Sequence, residues 1–242
     1  MSAPGEVVGG RAAAVETVVP APPRKATPLP VLAPPPVPSW RLLATLGGAG
    51  ALAGLLIVLA YQATLPSIEA HKAEVLRAAV EEVLHAPERA DTLYLSGNAL
   101  VATLPPGVDG AKLERVYRGY GPGGKPVGYA ISASRAGFAD QIELLFGYEP
   151  GTKRLLGMKI LASKETPGLG DKIELPSFTG QFAGRVAPLT GVKGTAPAGD
   201  RGAVVMITGA TISSRTIVRE INDAIERWQP LLEAYGRGGA QR

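Results

Sequence analysis

Residues 204–218 read VVMITGATISSRTIV, and this stretch joins an apolar, β-rich run (Ala203–Ile207) to the start of an amphipathic helix. The Gly-Ala turn between the two allows the backbone to approach a bulky group, and the helix start directs free N–H groups and the positive end of the dipole towards it. The hydroxyls of Thr208 and Thr211 lie at the same place. The pattern therefore predicts a phosphate site, non-covalent or an ester on one threonine. The alternative is a plain helix N-cap, in which Thr211 or Ser213 accepts a backbone N–H.

A second segment, SKETPGLGDK at residues 163–172, follows a predicted strand and is rich in turn-forming residues. Pro167 fixes φ, and the glycines permit positive φ. Glu165, Thr166 and exposed backbone amides are suited to line a pocket for a flat polar ring, with Leu169 as the apolar contact. A surface loop without a ligand is the alternative interpretation.

The composition excludes several classes of function. The 242 residues include no cysteine, which rules out thiolate metal sites, thiol redox catalysis and disulfides. His71 and His85 are the two histidines, so a Ser-His-Asp triad or a multi-histidine metal site is poorly supported, and we predict no metal site. His85 is predicted to be a surface or capping residue. The net charge of +4 comes without an aromatic-interleaved basic stripe, so we expect no nucleic-acid partner.

An uncharged apolar run extends from Leu42 to Tyr61. A helix of about 20 residues spans the roughly 30 Å of a bilayer's hydrocarbon core, so the run predicts a single transmembrane helix. A cleaved signal peptide is the alternative, but the run is long, starts late and has no clear cleavage site. Basic residues precede the run, whereas those that follow it are mixed with acidic ones. The bias favours a cytoplasmic N-terminus and a C-terminal domain outside the cytoplasm.

Beyond the span, hydrophobic periodicity predicts an α+β domain of antiparallel-type strands flanked by helices. Ser67 is expected to cap a first helix that ends near Leu84, and a final helix is predicted from about Ser213 to Tyr235. The predicted strands between them are Thr92–Leu104, Arg115–Tyr120, Val127–Ser134, Gln141–Tyr148 and Arg154–Ala162. The predicted organisation is a Pro-rich disordered tail at 1–40, a transmembrane helix at 41–62, the folded domain at 63–236 and a disordered C-terminus at 237–242.

The loop ETPGLGDKI (165–173) followed by TGAT (208–211) resembles the FMN-binding G subunit of the Rnf electron-transport complex. More distantly, the chain is similar to the C subunit of the sodium-translocating NADH:quinone reductase. The resemblance covers roughly residues 42–230, including the order of membrane span, helix, strands, both motifs and final helix. It leaves the Pro-rich tail outside.

The resemblance implies that a separate flavin transferase joins FMN through its phosphate to Thr211, the last residue of the Thr208-Gly209-Ala210-Thr211 motif. It also implies that Glu165 and Thr166 lie near the isoalloxazine ring. Gly168, Leu169 and Gly170 would form the supporting part of the loop. One position departs from the family, because many members have aspartate where this chain has Val205.

By the same resemblance, the chain is a covalently flavinylated, non-autonomous redox subunit with no catalytic residues of its own. It would relay electrons within a membrane-bound, ion-translocating ferredoxin:NAD oxidoreductase. Its expected partners are the other membrane and iron-sulfur subunits, the flavin transferase and membrane lipid. The expected location is the bacterial inner membrane, with the C-terminal domain in the periplasm. The alternatives are a membrane-anchored FMN sensor or regulatory module, a stand-alone flavin reductase, and an anchored structural domain without flavin.

Overall fold

The computed structural model describes residues 38–239, and they form the predicted α+β fold. The strands are mostly antiparallel, and two long helices and one short helix accompany them. In chain order the elements are α1 (Ser39–Val83), β1 (Arg89–Ser96), β2 (Ala99–Val101), β3 (Arg115–Tyr120), β4 (Pro126–Ala136), β5 (Gln141–Glu149), β6 (Arg154–Ala162), α2 (Pro176–Thr179), β7 (Thr190–Val192), β8 (Ala203–Val205) and α3 (Thr211–Gly239).

Six strands form one antiparallel sheet in the order β2-β1-β3-β4-β5-β6, and β7 and β8 form a small parallel pair. The predicted strand Thr92–Leu104 is two strands, because Gly97 takes φ +62° and turns the chain back on itself. The strands predicted at Arg115–Tyr120 and Arg154–Ala162 have the expected bounds. In β5, alternate residues point to opposite faces, and both faces are buried.

Each face of the large sheet is covered by a helix. The buried stripe of α3, which includes Ile217, Ile221 and Trp228, packs on one face together with Phe146 of β5. The end of α1 packs on the other face, where Val83 is buried in the same cluster as Leu145. This two-sided packing is the reason that β5 contains few polar residues.

The prediction that a new helix begins at Ser67 is wrong. Helix α1 runs without interruption for 45 residues and contains Pro66, so Ser67 lies inside it and caps nothing. A proline leaves the carbonyl four residues earlier without its partner, but helix-forming residues on both sides carry the helix through. The expected boundary between residues 62 and 63 therefore falls within a helix, and compact units divide at Val58 and Leu59.

The bounds predicted for the two end segments also differ from those in the structure. The tail predicted at 1–40 lies mostly outside the described residues, but Ser39 and Trp40 already belong to α1. At the other end, α3 begins at Thr211 and reaches Gly239, so residues 237–239 are helical rather than disordered. Arg237 in the last turn favours this extension, because a cation there complements the helix dipole.

Within the described residues, α1 is the single helix that is long and apolar enough to cross a membrane. Its uncharged part contains no buried residue; Leu46, for example, is 73% exposed. A long exposed apolar helix is unfavourable in water and fits a membrane anchor.

The contact between α1 and the sheet requires a glycine at position 147. A Cβ at Gly147 would overlap the backbone carbonyl oxygen of Val83, whereas a Cβ at the paired Gly157 would lie 3.6 Å from the nearest atom of Val83. We therefore expect Gly147→Ala to lower the free energy of unfolding by about 1–3 kcal/mol, as overpacking does. The matched Gly157→Ala variant should stay within about 1 kcal/mol of the wild type. Urea titration of the full chain in detergent measures both, and equal effects would contradict this packing.

Candidate functional site

The carboxylate of Glu165 joins three separate segments of the chain. Its Oε1 accepts hydrogen bonds from the backbone N–H groups of Phe138 (2.8 Å) and Ala139 (3.2 Å) in the turn between β4 and β5. Its Oε2 accepts one from the hydroxyl of Ser213 (2.8 Å) in the first turn of α3. Glu165 is 6% exposed, so these bonds form in a region largely shielded from water.

Two glycines leave room for this carboxylate. A Cβ at Gly170 would lie 2.7 Å from the Cβ of Glu165, and a Cβ at Gly137 would overlap its Oε1. Both glycines therefore serve a close approach, the first from the same loop and the second from the β4–β5 turn.

The loop of residues 163–170 folds back on itself around Thr166. The carbonyl of Thr166 accepts N–H bonds from Leu169 (3.2 Å) and Gly170 (2.8 Å), and Gly168 takes φ +76° at the tip. This shape directs Leu169 onto the other motif, since its Cδ2 lies 3.1 Å from where a Cβ of Gly209 would be. The two motifs found in the sequence are therefore in contact, although about 40 residues separate them.

The interpretation of TGAT as a cap made by Thr211 or Ser213 does not hold. The hydroxyl of Ser214, inside the first turn, accepts the N–H of Ile207 (3.1 Å) and donates to the carbonyl of Ala210 (2.9 Å). Ser213 donates to Glu165 instead. Across residues 38–239, no hydrogen bond involves the hydroxyl of Thr208 or Thr211.

The first turn of α3 offers unpaired donors beside these hydroxyls. In the described part of the chain, the backbone N–H groups of Thr211, Ile212 and Ser213 have no partner, while the next one, of Ser214, bonds to the carbonyl of Ala210 (3.0 Å). Unpaired N–H groups at a helix N-terminus, together with the dipole, form a favourable environment for a phosphate. Thr211 is the first residue of α3 and is half-buried, whereas Thr208 is exposed.

Exposed apolar residues lie on the three segments that Glu165 joins. After Tyr61, six large hydrophobic residues of the described chain are exposed, and three of these are next to the site: Phe138 (66%), Leu169 (47%) and Ile212 (51%). Phe138 is bonded to Glu165 through its backbone N–H. Leu169 and Ile212 are each adjacent in sequence to a residue that contacts Glu165. Exposed apolar groups beside unpaired donors mark a binding site. A ligand with a phosphate and a flat aromatic ring, such as FMN, fits this arrangement.

The structure thus brings together all the predicted site residues, Glu165–Gly170 and Thr208–Thr211. The Glu165 carboxylate is buried and hydrogen-bonded within the protein. Contact between this residue and an isoalloxazine ring stays a prediction. His85 is exposed at the end of α1, as expected.

The position of Phe138 and the hydrogen bonds of Ser213 and Ser214 were not predicted from the sequence. A signal for the serines was present, because Ser213 and Ser214 lie four residues before Ile217 and Val218 and therefore on the buried face of the helix. Polar residues on the buried face of a helix require hydrogen-bond partners. No comparable signal marks Phe138, whose place next to Glu165 depends on the tertiary fold.

Residues 137–226 match the family model of the FMN-binding domain, and this range contains every residue of the site. The chain is 30% identical over 186 residues to the G subunit of the ion-translocating oxidoreductase complex of Methanosarcina acetivorans; the alignment covers 77% of this chain and 92% of that one. This chain belongs to the G-subunit family of ion-translocating oxidoreductase complexes.

Other comparisons agree with membership in the G-subunit family. Over 106 residues the chain is 34% identical to the G subunit of the proton-translocating ferredoxin:NAD(+) oxidoreductase complex of Clostridium ljungdahlii, covering 43% of this chain and 55% of that one. The crystal structure of NqrC from Shewanella oneidensis superposes with a TM-score of 0.58 at 18% identity, covering 68% of this chain and 99% of that one. The likeness to NqrC establishes the fold alone. The family resemblance expected from the two motifs is confirmed.

Removing the Glu165 carboxylate tests its structural role in this member of the family. We expect Glu165→Ala to lower the free energy of unfolding by about 2–4 kcal/mol, because it removes an acceptor shared by three donors and leaves a buried hydroxyl without a partner. Urea denaturation measures this effect, and limited proteolysis should cut near residues 163–170 more rapidly. Glu174→Ala, which removes an exposed carboxylate nine residues later, is the control and should change stability by less than about 0.5 kcal/mol. A Glu165→Ala protein as stable as this control would show that the three segments are held by other contacts.

Proposed function

We propose that this protein is the electron-transfer subunit of a membrane-bound, ion-translocating ferredoxin:NAD oxidoreductase, and that it holds FMN as a phosphoester on Thr211. The observation that carries the proposal is the hydroxyl of Thr211 at the start of α3, which has no hydrogen bond within residues 38–239 and lies beside backbone N–H groups that have no partner in the same range. Leu169, which is exposed, contacts Gly209 two residues before Thr211. The membrane helix and the membership in the G-subunit family support it.

FMN supplies the redox chemistry when it is bound, so the chain's own residues have to retain it, orient it and shield it. The start of α3 stabilises the negative charge of a phosphodiester by roughly 0.3–1 kcal/mol through the dipole, in addition to direct N–H bonds. Phe138, Leu169 and Ile212 offer apolar surface for a ring. Glu165 keeps the segments that carry them in register. None of these tasks requires a catalytic acid–base pair.

The choice of Thr211 over Thr208 follows from their surroundings. Thr211 belongs to the helix turn whose N–H groups have no partner among the described residues, so an ester there places its anionic oxygens next to those donors. Thr208 lies before Gly209, whose φ of +88° turns the chain between the two threonines, and its exposed side chain has no hydrogen bond in residues 38–239.

The proposed location is the bacterial inner membrane, with the N-terminus in the cytoplasm and the FMN-binding domain in the periplasm. Arg41 precedes the apolar run, and the basic residues after it are accompanied by acidic ones. This asymmetry favours a cytoplasmic N-terminus. The proposed partners are other membrane and iron-sulfur subunits, a flavin transferase that forms the ester, and membrane lipid.

Attachment of the flavin can be tested by changing each threonine separately. The full chain is co-expressed with a flavin transferase, unfolded in detergent and examined for flavin fluorescence on a gel. We expect Thr211→Ala to lose all bound fluorescence, because the acceptor oxygen is gone, and Thr208→Ala to retain it.

Mass spectrometry of the intact chain provides a second measurement, because an ester adds the mass of FMN less one water. Urea titration should show that both variants fold, since neither hydroxyl forms a hydrogen bond in the described structure. A fluorescent Thr211→Ala protein, or a dark wild type, contradicts the assignment.

The orientation can be tested because the chain contains no cysteine. A single cysteine at the exposed position Thr195, in the loop between β7 and β8, should react with a membrane-impermeant maleimide once the outer membrane of the cells is made permeable. A cysteine at Ser2 should react only after the cells are lysed, if the N-terminus is cytoplasmic. The reverse labelling pattern would place the domain in the cytoplasm.

A further inference from the structure

Glu220 is a buried carboxyl that the proposed attachment of FMN does not use. It lies in α3, is 4% exposed, and neither of its carboxyl oxygens has a hydrogen-bond partner in residues 38–239. Buried polar groups are normally paired, and an unpaired buried carboxylate is costly. The neutral, protonated form is therefore the one that this position favours.

Glu220 lines a cavity of about 980 Å³ beside the end of β4. The walls near it include Ala133 of β4, Leu144 of β5 and Trp228 of α3. Pairing between β3 and β4 ends at Ile131, so residues 132–136 of β4 pair only with β5 and the cavity opens along their free edge. Water in such a space comes close to the carboxyl without hydrating it, because its oxygens have almost no exposed surface.

Two arginines that line the same cavity already have other partners. Arg135 of β4 forms an ion pair with Asp223, and Arg227 forms one with Glu114. Burial raises the pKa of the Glu220 carboxyl to about 8, and the charge of Arg135 opposes this shift. The other charged or titratable residues that line the cavity are His71 and Lys72 of α1, Arg115 of β3, Glu143 of β5, and Lys164 after β6.

Helix α3 and the β4–β5 turn connect the Glu220 carboxyl with the proposed flavin site. Glu220 follows Ser213, the partner of Glu165, by seven residues, which is about 10 Å along a helix. Between them, the hydroxyl of Thr216 donates to the carbonyl of Ala136 (3.5 Å). The next residue of the chain, Gly137, packs directly on Glu165. A charge at one end of this connection therefore changes the electrostatic potential at the other end.

We propose that Glu220 is a proton-binding site whose occupancy is linked to the redox state of the flavin site. This inference rests on the proposed function, because it requires FMN at Thr211. At a pH where Glu220 is ionised, a one-electron donor that adds negative charge at the flavin site causes one proton from solvent to bind to a carboxylate oxygen of Glu220. When the electron leaves, that proton returns to solvent. No other bond of the chain forms or breaks.

The linkage is reciprocal. If added negative charge at the flavin site raises the affinity of Glu220 for a proton, protonation of Glu220 makes reduction easier by the same free energy. Glu220 is buried, so the interaction is screened less than it is between two surface charges. The midpoint potential of the protein should consequently fall with rising pH in the range where Glu220 titrates.

Redox-induced infrared difference spectroscopy on the flavinylated full chain in detergent tests the proposal directly. Near pH 8, reduction with dithionite should increase the carbonyl stretch of a protonated carboxyl. Glu220→Gln should abolish this band and flatten the dependence of the potential on pH. Glu226→Gln, which removes an exposed carboxyl of the same helix, is the matched control and should retain both. A band that persists in Glu220→Gln, or identical pH profiles in the wild type and this variant, overturns the proposal.

Thermal unfolding separates this proposal from the proposed function, because it requires no flavin. A carboxyl whose pKa rises from 4.5 to about 8 on folding stabilises the protein below pH 4.5, and that stability is lost as the pH rises to 8. The unflavinylated wild type should therefore show a Tm that falls across this range more than that of Glu220→Gln. If flavin fails to attach while this difference persists, the proposed function and the redox linkage fall together, but Glu220 remains a proton site. If flavin attaches and neither readout depends on Glu220, only the present inference falls.

Discussion

The site depends on one buried carboxylate. Glu165 accepts hydrogen bonds from two backbone N–H groups of the β4–β5 turn and from the hydroxyl of Ser213. These partners lie 26, 27 and 48 residues away in sequence, so no local preference brings them together. Hydrogen bonds to a charged acceptor are about twice as strong as those between neutral groups. One side chain thereby fixes the relative positions of the loop, the turn and the start of α3, on which both threonines and the apolar rim depend.

Local patterns in the sequence were sufficient for the fold class and for most strands. The alternation in β5 and the stripe of Ile217, Ile221 and Trp228 in α3 are repeated features, and their periods survive folding because burial follows them. Local signals failed where a helix boundary was predicted from a single residue. Ser67 does not begin a new helix, because α1 continues through Pro66 from residues that favour a helix on both sides.

The candidate site was predictable as two motifs but not as a geometry. TGAT and ETPGLG identified the residues that meet, and their contact through Leu169 and Gly209 agrees with that expectation. The motifs could not reveal which partner each hydroxyl takes. Ser214 bonds to Ile207 and Ala210, Ser213 bonds to Glu165, and Thr211 has no bond in the described chain. This pairing depends on which hydroxyls face the sheet, and only the packed helix determines it.

The shape of the site gives a physical reason for the proposed covalent link. Pockets that retain a small ligand by non-covalent contacts enclose most of its surface. Here Thr208 and Leu169 are exposed, and the cavity of about 980 Å³ is lined by neither motif. A ring lying on Phe138, Leu169 and Ile212 would remain open on one side, which limits the binding free energy available from burial. An ester at Thr211 would make retention independent of that burial, so that the open side is free for the exchange of electrons with a partner.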